Sequence, residues 1–200
     1  MTTQFRTAAV IGAGQMGGGI AQVLAASGIA TRLYDQQDGA VAKALTLVDS
    51  LLARQIEKQK LTAEQKDAIV ANLKPAAALE ELADVDIVIE AIVENPEAKA
   101  VLFRRLDGIC SPATILASNT SSISITRLAA TTKRPERFIG LHFMNPVPVM
   151  QLVEVIRGLQ TSDVTYERCR ALIEKLNKTP VTARRDYPGF IVNRILVPMI

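Results

Sequence analysis

Residues 7–17 read Thr7-Ala8-Ala9-Val10-Ile11-Gly12-Ala13-Gly14-Gln15-Met16-Gly17. A short apolar run without alternation fits a strand buried on both faces, as in a parallel sheet. It ends in a G-x-G-x-x-G spacing, and a stretch rich in small apolar residues, Gln15–Ser27, follows at helical length. The next apolar run, Ile29–Tyr34, closes on Asp35, about 20 residues after the glycines. Strand, glycine turn, helix start, strand and acid form the context in which this spacing holds a dinucleotide. Gly12 allows the tight turn, Gly14 lets the backbone approach a pyrophosphate, and Gly17 lets the helix lie close to the sheet. The helix N-terminus, with Gln15 and Met16 in its first turn, faces the anion. Asp35 is expected to accept hydrogen bonds from the adenosine ribose and to repel a 2′-phosphate, which points to NAD rather than NADP. Arg32 precedes Asp35 on the strand and is poorly placed to offset that charge. A glycine-rich turn without a ligand is the alternative, and the acid in place argues against it.

Outward from this motif, apolar runs and helical periods alternate, which predicts an α/β fold: a Rossmann-type, doubly wound, mostly parallel sheet. Gly28 reads as a helix C-cap. Val41, Leu45, Val48, Leu52 and Ile56 mark one face of a long amphipathic helix. Thr62 opens another helix. Asp86–Val93 is the clearest buried strand, and Asn95-Pro96 starts a helix to Ile109, with the proline where no N–H is needed. Ala113–Ala117, Arg137–Phe143 and Gln151–Ile156 read as strands, and a Pro-rich turn joins the last two. Asp163–Leu176 reads as a helix followed by Asn177, and Pro180–Ala183 as an edge strand. Phe190–Ile200 is almost wholly apolar and reads as the first helix of a second, helical domain. The expected division is 1–186 and 187–200.

The chain has 200 residues, 48% hydrophobic and 22% charged, which suits a folded domain and excludes disorder. No apolar run reaches the roughly 20 residues of a membrane span, and the opening residues leave no room for a leader. The net charge of +3 is scattered, so an anionic small molecule is a better partner than nucleic acid. Two cysteines and one histidine make no disulfide framework and no zinc cluster, so no metal is expected. A reducing, cytoplasmic setting follows as the expectation.

The remaining chemistry gathers on a few polar residues. Glu154 lies in Leu152-Val153-Glu154-Val155-Ile156, where a lone buried carboxylate would be expensive. His142, the sole histidine, ends a strand just before Asn145-Pro146-Val147-Pro148. A hairpin there sets the two strands side by side, and a histidine held by a buried carboxylate is the arrangement of a general base. Separately, His142 also reads as a satisfied core residue and Glu154 as a solvent-facing edge residue. Ser118-Asn119-Thr120-Ser121-Ser122 follows a strand at the ligand-binding end of such a sheet. Its hydroxyls suit a substrate oxygen, or equally helix capping by Ser122 or Ser124. Glu94 reads as a cleft carboxylate or as a charge at a helix start.

Taken in order, VIGAGQMGGGIA, DIVIEAIVEN, ILASNTSSISIT, RFIGLHFMNPVPVMQLVEVIRG and YPGFIVNRILVPMI resemble the 3-hydroxyacyl-CoA dehydrogenase family across residues 10–200. The resemblance implies an NAD-dependent oxidation of an (S)-3-hydroxyacyl-CoA, with a short chain such as 3-hydroxybutyryl-CoA, in fatty-acid β-oxidation or butanoate metabolism. It implies His142 as the base, Glu154 as its orienting partner, Ser121 on the substrate's 3-oxygen and Asn193 as a substrate contact. It further implies Glu94, Lys99 and Asn145 along the NAD cleft and Lys58 at the CoA phosphates.

The family continues into an all-helical domain that forms a homodimer, and this chain stops soon after that domain begins. Three other readings therefore stay open. They are an NAD-binding portion inactive by itself, a related hydroxy-acid dehydrogenase, and a non-enzymatic relative of the crystallin kind. Gly18 and Gly19 lengthen the glycine run and are expected to loosen the helix start by about 1 kcal/mol each relative to alanine.

Overall fold

The computed structural model describes residues 4–196. Eight strands form one sheet in the order β3-β2-β1-β4-β5-β6-β7-β8. They are β1 (Thr7–Ile11), β2 (Ala30–Tyr34), β3 (Leu73–Pro75), β4 (Ile87–Glu90), β5 (Ile115–Ser118), β6 (Phe138–Phe143), β7 (Leu152–Ile156) and β8 (Thr179–Ala183). Six strands run parallel in the doubly wound 3-2-1-4-5-6 order. β7 turns back antiparallel to β6, and β8 lies parallel to β7 at the sheet edge. The expected Rossmann-type sheet is therefore present, extended on one side by a two-strand return.

Alternate residues of the central strands feed two apolar layers. Ala8, Val10, Ile87, Ile89 and Leu141 face one layer with α1 (Gln15–Ala26), α2 (Ala40–Glu57), α3 (Ala63–Asn72) and α6 (Asp163–Lys175). Ala9, Ile11, Val88, Leu116 and Phe138 face the other with α4 (Pro96–Ile109) and α5 (Ile125–Ala129). Both faces of these strands are dry, which is why they read as continuous apolar runs.

Local signals set the helix limits. Thr62 and Gln65 form a reciprocal capping box at α3, Asn95 Oδ1 caps α4 through Ala98 N, and Ser162 caps α6 through Thr165 N. Gly28 and Asn177 take the left-handed conformation after their helices.

Three elements differ from the sequence reading by more than two residues or in backbone conformation. β4 stops at Glu90 rather than Val93, because Ala91–Val93 leave the sheet to form a cavity wall. β3 is a three-residue strand that its short, proline-ended sequence does not announce. Phe190 is not helical: α7 is described as Val192–Leu196, and Phe190 sits in a left-handed turn before it. Residues 197–200 of the expected helix lie outside the described residues.

Candidate active site

The chain leaves β1 for β2 on one side and returns to β4 on the other, so a crevice opens between the C-terminal ends of β1 and β4. The loop after β1 and the loop after β4 meet there. Gly12 has φ of 101°, and a Cβ on it would lie 2.4 Å from the Ala91 carbonyl oxygen. A Cβ on Gly17 would lie 1.7 Å from the Gly12 carbonyl oxygen, so α1 reaches the turn only because Gly17 has no side chain. A Cβ on Gly14 would meet no atom within 4 Å.

That open space belongs to a cavity of about 940 Å³ lined by Gly12, Gly14, Gln15, Met16 and Asp35 on one wall. Ala91–Val93 and the α4 residues Ala98, Val101 and Arg105 form the opposite wall. The N-terminus of α1 carries no side-chain cap and no acid in its first turn, so its N–H groups suit an anion. Asp35 Oδ2 accepts the Ala13 N–H at 2.6 Å and Oδ1 accepts the Gln37 N–H at 2.8 Å, which leaves a half-buried carboxylate at the cavity edge. Arg32 turns away to Asp84 and the Glu81 carbonyl. A glycine cradle, an uncapped helix start and an acid on one cavity fit a dinucleotide without a 2′-phosphate.

The second group of residues lies at the ends of β5, β6 and β7. Antiparallel pairing sets His142 directly opposite Glu154. His142 Nδ1 lies 2.6 Å from Glu154 Oε2, with 6% of His142 and none of Glu154 exposed. Glu154 Oε1 accepts two backbone N–H groups, from Ile191 at 2.8 Å and Val192 at 2.9 Å. Burial pushes the Glu154 carboxyl up. The His142 hydrogen bond and the two N–H donors outweigh that and hold it below the ordinary carboxylate range. An ionised Glu154 only accepts, so Nδ1 carries the imidazole proton and Nε2 presents its lone pair. Among the described residues, none pairs with Nε2. The Phe190 ring packs edge-on against the imidazole, with centroids 5.9 Å apart.

The loop after β5 is bound into the same end of the sheet. Asn119 Oδ1 accepts the Phe143 N–H at 2.8 Å. Glu94 accepts the Thr120 hydroxyl at 2.5 Å and the Ser121 N–H at 2.9 Å. Burial pushes Glu94 up, and the Thr120 hydroxyl, the Lys99 charge and the Ser121 N–H bring it below the usual range. The Ser121 hydroxyl has no partner among the described residues, while its carbonyl accepts Asn193 Nδ2 at 3.4 Å. Ser118 is not a ligand candidate: its hydroxyl donates to buried Glu90 at 2.6 Å. Ser124 caps α5 and also bonds Asp186, so the capping reading holds for that residue.

The structure thus joins His142 to Glu154, and Asn193 through Ser121 and Glu94 to Lys99. Of the residues expected along the cofactor and CoA, Glu94, Lys99, Asn145 and Lys58 do not line the cavity. Lys99 is sealed against Glu90 at 2.5 Å and reaches Glu94 at 3.3 Å. Asn145 is exposed on the loop between β6 and β7. Lys178 clamps that loop by donating to the Val147 and Met150 carbonyls at 2.6 and 2.7 Å. Lys58 is exposed at the end of α2.

Sequence reading missed Glu90, Phe190 and the two N–H donors to Glu154. A carboxylate ending a buried strand was the available signal for Glu90. Burial pushes the thiols of Cys110 to about 11 and Cys169 to about 12, which removes both as nucleophiles. Among the described residues no His/Cys/Asp/Glu group could hold a metal ion, and no helix is long and apolar enough to cross a membrane.

Known proteins resemble this chain in sequence and in fold. A model of the family described as 3-hydroxyacyl-CoA dehydrogenase, NAD binding domain, matches residues 7–187. The chain is 53% identical over 191 residues to a probable 3-hydroxybutyryl-CoA dehydrogenase of Bacillus subtilis (strain 168), which covers 96% of this chain and 66% of that protein. It is 48% identical over 200 residues to a 3-hydroxybutyryl-CoA dehydrogenase of Bradyrhizobium diazoefficiens, covering all of this chain and 68% of that one. The crystal structure of (S)-3-hydroxybutyryl-CoA dehydrogenase PaaH1 from Ralstonia eutropha superposes with a TM-score of 0.95 at 50% identity, covering 98% of this chain and 69% of that chain. The chain spans about two thirds of the length of these relatives. It belongs to the 3-hydroxyacyl-CoA dehydrogenase family and contains that family's NAD-binding domain.

Proposed function

We propose that this chain provides the cofactor half and the catalytic base of an enzyme that oxidises (S)-3-hydroxyacyl-CoA to 3-oxoacyl-CoA. The observation that carries this is the His142–Glu154 pair, a 2.6 Å contact with its carboxylate fully buried, on the same sheet as the dinucleotide cradle. The relatives named 3-hydroxybutyryl-CoA dehydrogenase favour a short acyl chain.

Nε2 of His142 takes the proton of the substrate's 3-hydroxyl as a hydride leaves C3. Glu154 keeps the proton on Nδ1 and balances the imidazolium that forms. The Ser121 hydroxyl, free of protein partners, donates to the 3-oxygen, and Asn193 contacts the substrate from α7. Bound NAD supplies the hydride acceptor. Gly12, Gly14, Gln15, Met16 and Gly17 hold its pyrophosphate side, Asp35 its ribose, and Glu94 and Asn145 the far end of the cleft, with Lys99 buried behind Glu94 and acting through it. Lys58 meets the CoA phosphates. Oxidation releases a proton, so it gains as pH rises.

In this reading residues 1–186 form the NAD-binding domain, and 187–200 begin a helical domain through which a homodimer forms. The setting is cytoplasmic. A second reading, an NAD-binding portion without turnover by itself, is supported by the apolar Ile195 and Leu196, which lie exposed on α7.

The test is to mix the 200-residue chain with acetoacetyl-CoA and NADH and follow the loss of reduced-nicotinamide absorbance, with NADPH as control. Turnover with NADH alone supports the full reading. Saturable NADH binding without turnover supports the second. Neither binding nor turnover overturns both.

A further inference from the structure

We infer that Phe190 is a positioning residue for the His142–Glu154 pair: its buried ring anchors the turn that aims two backbone N–H groups at Glu154. This rests on the proposed role of that pair, and the experiment below separates the two.

Glu154 has two oxygens to satisfy inside the protein. Oε2 meets His142, and Oε1 takes the N–H groups of Ile191 and Val192. Two successive N–H groups converge on one oxygen where the chain turns sharply into a helix start. Gly189 at φ 79° and Phe190 at φ 48° supply that turn. A bulky residue rarely takes a positive φ, and it persists there only where the surroundings over-determine it.

Those surroundings are on both sides of the turn. The Phe190 ring is 4% exposed, joins the apolar layer containing Ile125, Ile156 and Ala183, and lies edge-on to His142. Upstream, Asp186 accepts the Ser124 hydroxyl at 2.6 Å and the Thr126 N–H at 2.7 Å. Downstream, Asn193 reaches the Ser121 carbonyl. Without the ring the turn loses its anchor, and Oε1 is left buried without donors. A carboxylate in that state reorients toward water or other donors and leaves Nδ1. Residues 190–192, beyond the 7–187 span of the NAD-binding domain, thereby complete its catalytic pair.

The sole histidine makes the test direct. In the whole chain labelled with ¹⁵N at the imidazole, the His142 Nδ1–H bonded to a carboxylate gives one identifiable downfield proton signal. The signal is expected in the unaltered chain and in Phe190→Leu, which carries the same positive-φ cost but refills the apolar site. It is expected to broaden or vanish in Phe190→Ala.

Val192→Pro removes one donor where the first helical turn tolerates proline, and it is expected to weaken the signal too. This variant decides the matter if Phe190→Ala does not fold. In turnover, Phe190→Ala lowers kcat by about tenfold or more with the KM for NADH nearly unchanged. An unaltered signal in folded Phe190→Ala, or in Val192→Pro, overturns the positioning role. A signal that behaves as expected in a chain without turnover upholds the positioning role and overturns only the dehydrogenase reading.

Discussion

Lys99 Nζ lies 2.5 Å from Glu90 Oε1, with both side chains sealed from solvent. Glu90 also accepts the Ile92 N–H at 2.7 Å and the Ser118 hydroxyl at 2.6 Å, so this pair ties β4, α4 and β5 together. A buried pair adds little net stability over apolar residues, but breaking one side strands a charge. Lys99→Ala is therefore expected to cost about 3–5 kcal/mol in urea unfolding. Adding Glu90→Gln removes the stranded charge and recovers part of that loss. A solvent-facing lysine on the cofactor would lose NADH affinity with little stability, so the two roles give opposite patterns.

His142→Gln keeps a polar side chain of similar size but cannot take a proton near neutral pH. Turnover is expected to fall by about a hundred- to ten-thousand-fold, the usual worth of a positioned base. NADH binding, measured by fluorescence titration, stays, because the cradle lies on the Gly12–Asp35 side. Near-normal turnover in this variant removes His142 as the base.

These two predictions differ in how far the residues could be read from sequence. The dyad was legible because a short Pro-rich loop between two apolar runs forces an antiparallel return, and that return sets His142 against Glu154. The cradle was legible because glycine spacing, helix start and acid are local in the chain. Lys99 was not, since nothing in its helix says that its partner ends a strand nine residues earlier. Phe190 was read as helix because its neighbours are apolar. Its left-handed backbone accompanies the Ile191 and Val192 bonds to Glu154 and the burial of its ring, both of which involve distant chain. β3 failed for a related reason: Leu73-Lys74-Pro75 is a strand only through its pairing with β2.

The carboxylates predict an acid limit to stability. Glu154, Glu94, Asp186 and Asp86 are each pushed up by burial and then held below their ordinary values by hydrogen bonds. A carboxyl lowered on folding stabilises fully above its unfolded value, 4.5 for glutamate and 3.8 for aspartate. That contribution is lost as pH falls through the lower folded value. Urea midpoints are thus expected to hold from neutral pH to about 5 and to drop steeply below. The gap between the unaltered chain and Glu154→Gln should shrink over the same acid range. A gap that stays constant down to pH 3 contradicts the ionised, hydrogen-bonded Glu154.

Gly18 and Gly19 look equivalent in sequence, both loosening the start of α1, and the structure makes them opposites. A Cβ on Gly18 would sit 3.7 Å from the Ala44 Cβ, an ordinary contact. Gly18→Ala is expected to stabilise by up to about 1 kcal/mol, through helix propensity. A Cβ on Gly19 would sit 2.9 Å from the Val147 Cβ, in the loop that carries Asn145 and that Lys178 clamps. Val147 is 2% exposed and its Cβ moves only with its backbone, so the loop itself must shift. Overpacking of this kind costs about 1–3 kcal/mol, which offsets or exceeds the propensity gain. Gly19→Ala is thus expected to be neutral to destabilising in thermal unfolding, and to weaken NADH binding where Gly18→Ala leaves it intact. Equal stabilisation by both substitutions would show that α1 does not need its close approach to this loop.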